Sequence, residues 1–216
     1  MPTAMLEHAQ HALQTDRRGR ILDAAERCFV RSGFHRTTMQ DVAAEAGMSP
    51  GNLYRYFPSK DAIVAGLTER DRSQLARDFA AFDSGADFMT TFMNLGRKHF
   101  EEEPRERAVM CLEIWAESAR NPAFAAMCAE FEHELVKRLT EVLQNAQDRG
   151  EVAADVDPQA AATVILTLGN GLFVRRAITP EFDAAREVPY VIGLIGAMLS
   201  GTLALGAPAP TLEMSS

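Results

Sequence analysis

"TTMQDVAAEAGMSPGNLYRYFPSK", residues 37–60, holds two helix starts and one helix stop in a single short run. Thr38 and Asp41 have the T-x-x-D spacing of a capping box, although Glu or Gln is the commoner partner. Met39, Val42, Ala43 and Ala46 follow at i, i+3, i+4 and i+7, a stripe of small side chains on one helix face. Gly47 stops that helix. Ser49 and Pro50 open another, as an N-cap followed by proline at the first position. Two short helices joined by a turn of about three residues containing glycine is the helix-turn-helix spacing.

Phasing the second of these helices at 100° per residue puts Leu53 and Phe57 together on the inner side. Gly51 and Arg55 fall opposite, Asn52 and Tyr54 flank them, and Tyr56 sits at the edge of the buried stripe. Taken alone, "NLYRYF" would serve as a packed amphipathic helix, but two tyrosines and an arginine held outward suit a polar anion. Pro58-Ser59 restart a helix with Lys60 in its first turn, where a cation opposes the helix dipole. A phosphate at that helix start would explain the lysine. Arg17, Arg18 and Arg20 near an earlier helix start are read as either a solvated end or a second phosphate contact.

Working outward, the first helix is expected from about Asp16 to Ser32, with Ile21, Ala25, Cys28 and Phe29 on its inner stripe and Gly33 as its C-terminal cap. Residues 1–15 read as a mobile arm and 207–216 as a flexible tail. The fold class is all-α, with a three-helix head over residues 16–62 (helix-turn-helix at about 38–57) and a six-helix body over 63–206. The last helix is placed from near Val188 to Gly206. Of 216 residues, 47% are apolar, enough for a substantial core. The net charge is −8, unevenly placed: residues 1–60 carry eight Lys/Arg against six Asp/Glu, so the excess acid lies in the body. That asymmetry confines any nucleic-acid contact to the head. Three cysteines with no C-x-x-C pair read as buried free thiols in a reducing compartment.

The stretch "RILDAAERCFVRSGFHRTTMQDVAAEAGMSPGNLYRYFPSKDAIV", residues 20–64, resembles the tetracycline-repressor (TetR) family of bacterial transcriptional regulators. Its "ILDAA…F…G", "TT…DVAAEAGMS", "G-x-LY-x-YF" and "SK" fall at the family's spacings without a gap. The resemblance implies a cytoplasmic homodimer that holds operator DNA, with each recognition helix in a major groove, and a body that takes a small-molecule effector. It places Thr38 near a phosphate, Tyr54, Tyr56 and Lys60 on the DNA backbone, and Gly51, Asn52 and Arg55 nearest the bases. Thr37, Gln40, Ser49 and Pro50 complete the expected DNA-binding set. Where many members carry lysine or another polar residue, this chain has Pro50, which shifts base reading toward Asn52 and Arg55 or toward apolar contact with a thymine methyl.

In the body, Phe92, Met110, Ile114, Trp115, Met127, Phe131 and Phe173 are either bundle core or the lining of an apolar effector cavity. His99 and Glu113 are the polar groups expected to face such a cavity; Glu113 and Glu117 otherwise form a solvated face beside Trp115. Gly169, Phe173, Gly193, Gly196, Ala197 and Ser200 are expected to form a close-packed dimer interface. The uncharged run 188–205 just reaches the length of a membrane span. Its Pro189, its glycines and the lack of a basic flank favour a dimer helix over a membrane anchor. Five scattered histidines, no metal-ligand spacing and no phosphate loop or nucleophile motif argue against an enzyme or a cofactor site. The expected function is a sequence-specific regulator, a repressor released by an apolar effector. A constitutive DNA-organising protein, or an effector-binding protein without DNA function, are the alternatives.

Overall fold

The computed structural model describes residues 2–84 and 87–203, with side chains from residue 16. Among the described residues there are nine α-helices and no strand. The head comprises α1 (Pro2–Ser32), α2 (Met39–Glu45) and α3 (Pro50–Tyr54); α4 (Lys60–Ala80) leads into the body. The body continues with α5 (Phe88–Arg97), α6 (Arg105–Ser118), α7 (Pro122–Asp148), α8 (Pro158–Ile178) and α9 (Ala184–Leu199). The expected tail, residues 207–216, lies outside the described residues.

Side-chain caps set the helix starts. Ser49, Ser59, Asp87, Asn121, Asp157 and Asp183 each accept a backbone N–H from the following turn. The Thr38–Asp41 capping box forms in both directions. Gly47, at φ 66°, ends α2 in the left-handed conformation that glycine adopts without a Cβ penalty, and the next amide, of Met48, reaches back to the Ala43 carbonyl at 2.9 Å.

Three boundaries differ from expectation. Helix α1 begins at Pro2 rather than near Asp16, because residues 3–18 are rich in Ala, Leu, Glu and Gln and contain no breaker. Helix α9 starts at Ala184, capped by Asp183, and not near Val188, and it carries Pro189 in its second turn. It ends at Leu199, where Gly201 at φ 73° lets the Leu203 amide bond back to Ala197.

The head core joins Ile21, Phe29, Val42, Leu53 and Phe57 to Ile63, Val64 and Leu67 of α4, and to Met110 of α6 and Phe124 of α7. The division expected at residues 62–63 therefore runs through a shared hydrophobic cluster. Gly66 permits this closeness: a Cβ there would stand 2.8 Å from the Phe57 ring. The body core gathers Phe82, from the 3-10 turn after α4, with Phe88, Leu143 and Ile195 from α5, α7 and α9. Helix α8 is long and apolar enough to cross a membrane by length and composition, yet it lies packed against α6 and α7.

Candidate nucleic-acid interface and body cavity

Helix α3 is oriented by its two buried anchors. Leu53 and Phe57 are fully buried, so Gly51, Tyr54 and Arg55 face solvent and Asn52 is half-buried. Among the described residues, the side chains of Gln40, Asn52, Tyr54 and Arg55 have no hydrogen-bond partner, so their donors and acceptors are available to an external ligand. Nothing lies within 4 Å of where a Cβ on Gly51 would sit. The recognition surface is thus a row of free polar groups around one bare stretch of backbone.

Other members of the expected set have roles inside the head. Thr37 is buried, and its hydroxyl donates to the Gly33 carbonyl at 2.9 Å and lies 3.2 Å from that of Cys28. It locks the α1–α2 turn and does not present its side chain to a ligand. Thr38 is exposed, but its hydroxyl donates to Asp41 at 2.7 Å; with the Thr38 amide, this holds the Asp41 carboxyl below the usual carboxylate range. Ser49 caps α3 by accepting from the Asn52 amide at 3.3 Å. Lys60 is the clearest reassignment. Its ammonium donates to the Phe34 carbonyl at 2.7 Å and the His35 carbonyl at 3.3 Å, and lies 4.4 Å from the Phe34 ring centroid. Those carbonyls offset the unfavourable dipole, the part assigned to a phosphate from sequence.

Arg17 and Arg18 converge on the end of α3. Arg18 donates to the Tyr56 carbonyl at 3.1 Å and lies over the Phe57 ring, while Arg17 approaches the Tyr56 hydroxyl at 3.4 Å. Cations at the C-terminal end of a short helix complete its free carbonyls.

The body holds a half-open cavity of about 540 Å³ lined by helices α4 to α9. Phe92, His99, Ile114, Trp115, Met127, Phe131 and Phe173 line it, as expected, and Phe79, Phe82, Phe100 and Leu139 add to the wall. Met110 and Glu113 do not. Along α6, Cys111, Ile114, Trp115 and Ser118 recur at helical spacing and face the cavity, whereas Met110, Glu113 and Glu117 recur on the face toward the head. Met110 joins the head core. Glu113 accepts the Phe34 amide at 3.0 Å, and the buried Glu117 lies 2.7 Å from His35 Nε2. Both faces of α6 are covered by protein, so a single stripe could not be read from the sequence.

Polar groups that the sequence reading passed over sit on the cavity wall. After Arg97 the helix widens to a π turn, Lys98–Glu102, a form that recurs at functional sites. Arg176, buried on α8, donates to the His99 carbonyl at 2.7 Å and to that of Glu103, satisfying backbone groups around the widened turn. The turn aims His99 between two carboxylates, 3.2 Å from Asp78 Oδ2 and 3.1 Å from Glu103 Oε1. Arg107 continues the chain of charges to Glu103, to Asp71 at 2.7 Å, and to Glu26 of α1 at 3.7 Å. Arg70 ties α4 to Asp23 and Glu26 of α1. Asp71 and Asp78 occupy the same α4 stripe as Leu67, Leu75 and Phe79; a carboxylate at such a position was the available signal. Burial pushes the Cys111 thiol up to about 12, so it lines the cavity as an uncharged group.

The expected interface residues divide. Gly193 and Ser200 are exposed and Ala197 is half-buried, beside exposed Tyr190 and Leu194. Gly169 and Phe173 instead line the cavity, with Phe173 4.8 Å from Phe100 between ring centroids; Gly196 faces Met89.

Comparison with known proteins matches this arrangement. Residues 21–67 fit the profile of bacterial regulatory proteins of the tetR family, and residues 98–193 that of the BetI-type transcriptional repressor C-terminal region. The HTH-type transcriptional regulator UidR of Escherichia coli K12 is 30% identical over 199 residues, covering 92% of this chain and 98% of that one. The structure of Salmonella enterica GusR is also 30% identical, with a TM-score of 0.71 over 86% of this chain and 94% of its own. SmeT, the repressor of the Stenotrophomonas maltophilia multidrug efflux pump SmeDEF, is 25% identical with a TM-score of 0.68, covering 89% and 96%. With a helix-turn-helix head, an all-helical body and a relative matched along almost its whole length, the chain belongs to the TetR family and is a DNA-binding transcriptional regulator.

Proposed function

We propose that the chain is a homodimeric, cytoplasmic repressor whose operator affinity falls when a small, largely apolar molecule enters the 540 Å³ cavity. One observation carries this reading: α6 has a cavity face and a head face. Ile114 and Trp115 line the cavity, Ile114 also packing against the head core, while Glu113 and Glu117 on the adjoining face meet the Phe34 amide and His35. Helix α4 is similarly placed, with Phe79 on the cavity wall and Lys60 on the Phe34 and His35 carbonyls. An occupant that moves either helix moves the turn between α1 and α2, and with it the angle of α3. Two heads on a dimer must match major grooves about 34–36 Å apart or a multiple of that, so a modest rotation breaks the fit. A coupling of about 1–3 kcal/mol suffices, and DNA must weaken effector binding by the same factor.

The exposed Tyr190 and Leu194, flanked by Gly193 and Ala197 on α9, support the dimer assignment, since an apolar patch of this kind is more usual at an interface than on a free surface. Gly51, Asn52 and Arg55 read bases, and Tyr54 with Gln40 positions the backbone.

Nuclease protection of the protein's own upstream region, titrated with apolar compounds while Trp115 fluorescence is followed, tests the proposal. Protection should be confined to a short site and should disappear over the concentration range in which the fluorescence changes. Ile114→Phe, which narrows the cavity, should preserve protection and abolish release. Equal binding to random DNA, or fluorescence changes without release, would defeat the reading.

A further inference from the structure

One carboxylate in the cavity wall is incompletely partnered. Asp78 has 6% of its side chain exposed, and its Oδ1 accepts from Gln74 at 2.9 Å and from Lys98. Its Oδ2 is buried without a hydrogen-bond partner; His99 Nε2 stands 3.2 Å away, but outside hydrogen-bonding geometry. A buried acceptor left in this state is costly, and a carboxylate offers about four acceptor positions. The surroundings select the complement. Asp71, Asp78, Glu103 and Glu132 line the space against the guanidinium of Arg107 and the imidazole of His99, and the other walls are apolar, with seven aromatic side chains set among aliphatic ones. A cation with N–H donors matches both features, because carboxylates and ring faces each favour it.

We propose that the effector is an amphipathic organic cation: a protonated amine on an apolar frame, with its ammonium donating to Asp78 Oδ2 and its frame among the cavity aromatics. This rests on the cavity being the effector site and adds the chemical class of its occupant. Lys98 and Gln74 engage the other oxygen and stay in place, while His99, 3.2 Å from the buried Oδ2, turns aside to admit the ammonium.

The test compares three probes of one shape, 4-phenylbutylamine, 4-phenylbutanol and pentylbenzene, by Trp115 fluorescence and by release of DNA. The full-length protein should bind the amine at least about tenfold more tightly than either neutral probe. Asp78→Asn, which keeps the shape, should remove that preference while leaving pentylbenzene affinity within about twofold. A purely structural role for Asp78 would weaken all three probes alike, and that result would overturn the proposal. Equal binding of the three probes to the unmodified protein would overturn it too, whether or not the variant folds, and would leave the cavity assignment standing. Failure of every probe to bind would count instead against the cavity as the effector site, and so against both.

Discussion

In the head, Phe29, Leu53 and Phe57 are buried on every side; in the body, Phe92, Phe131 and Phe173 border a 540 Å³ space. The same residue type thus does opposite work a few turns apart. Head aromatics fix the orientation of one short helix, and a short helix has little stability of its own. Body aromatics leave room, and ion pairs link α1, α4, α6 and the π turn around it. The contrast separates a region that must not deform from one that must.

Matched truncations should measure the difference. Phe57→Ala, at a site closed by Gly66 and Leu22, should cost about 3–5 kcal/mol. Phe131→Ala only enlarges an existing space from a half-buried position, and should cost about 1 kcal/mol or less. Urea denaturation of the two variants gives the comparison directly. Similar losses would mean that the body is as tightly constrained as the head.

A second pair of substitutions separates holding from reading within the head. Lys60→Met removes a charged donor from two carbonyls and should destabilise the fold by about 1.5–3 kcal/mol. The salt dependence of DNA binding should stay the same. Arg55→Ala, whose side chain has no partner among the described residues, should leave stability unchanged. It should reduce discrimination between operator and random DNA by about 1–3 kcal/mol. Thermal melts and binding at several salt concentrations check both. A reduced salt slope for Lys60→Met would return that lysine to the phosphate.

The smallest expected effect is at Gly51. Alanine fits there without a contact inside the protein, and the φ is not positive. Gly51→Ala should therefore raise stability by about 0.4–1 kcal/mol, through the unfolded chain, while lowering operator affinity because the backbone can no longer approach as closely. Melting temperature and operator affinity moving in the same direction would show that Gly51 is not at the contact.

The helix-turn-helix was legible because each boundary within it is set by a residue next to it: Thr38, Gly47, Ser49, Pro50 and Ser59 each act within one turn. Leu53 and Phe57 fixed the phase of α3, so the outward position of Arg55 followed. Lys60 has partners that its sequence neighbours do not show, for the complementary reason. Its partners, the Phe34 and His35 carbonyls, lie 25 or more residues away in the chain, and only the tertiary fold brings them to its ammonium. The body showed its aromatics but not their sides. Glu113 and Trp115, two residues apart on α6, face different regions, and an amphipathic reading cannot divide a helix that is covered on both faces. Nothing in the sequence marks the π turn at 98–102. Asp78 was visible as a charge in an apolar stripe and was overlooked.

The free side chains around Gly51 bear on how such a regulator changes over time. Gln40, Asn52 and Arg55 support no part of the head, whereas Leu53 and Phe57, interleaved with them, support all of it. On the proposed assignment of these side chains to operator reading, mutation can retarget the protein to a new promoter one residue at a time without passing through an unfolded intermediate. After a gene duplication, two copies could diverge in the sites they regulate while keeping the same scaffold.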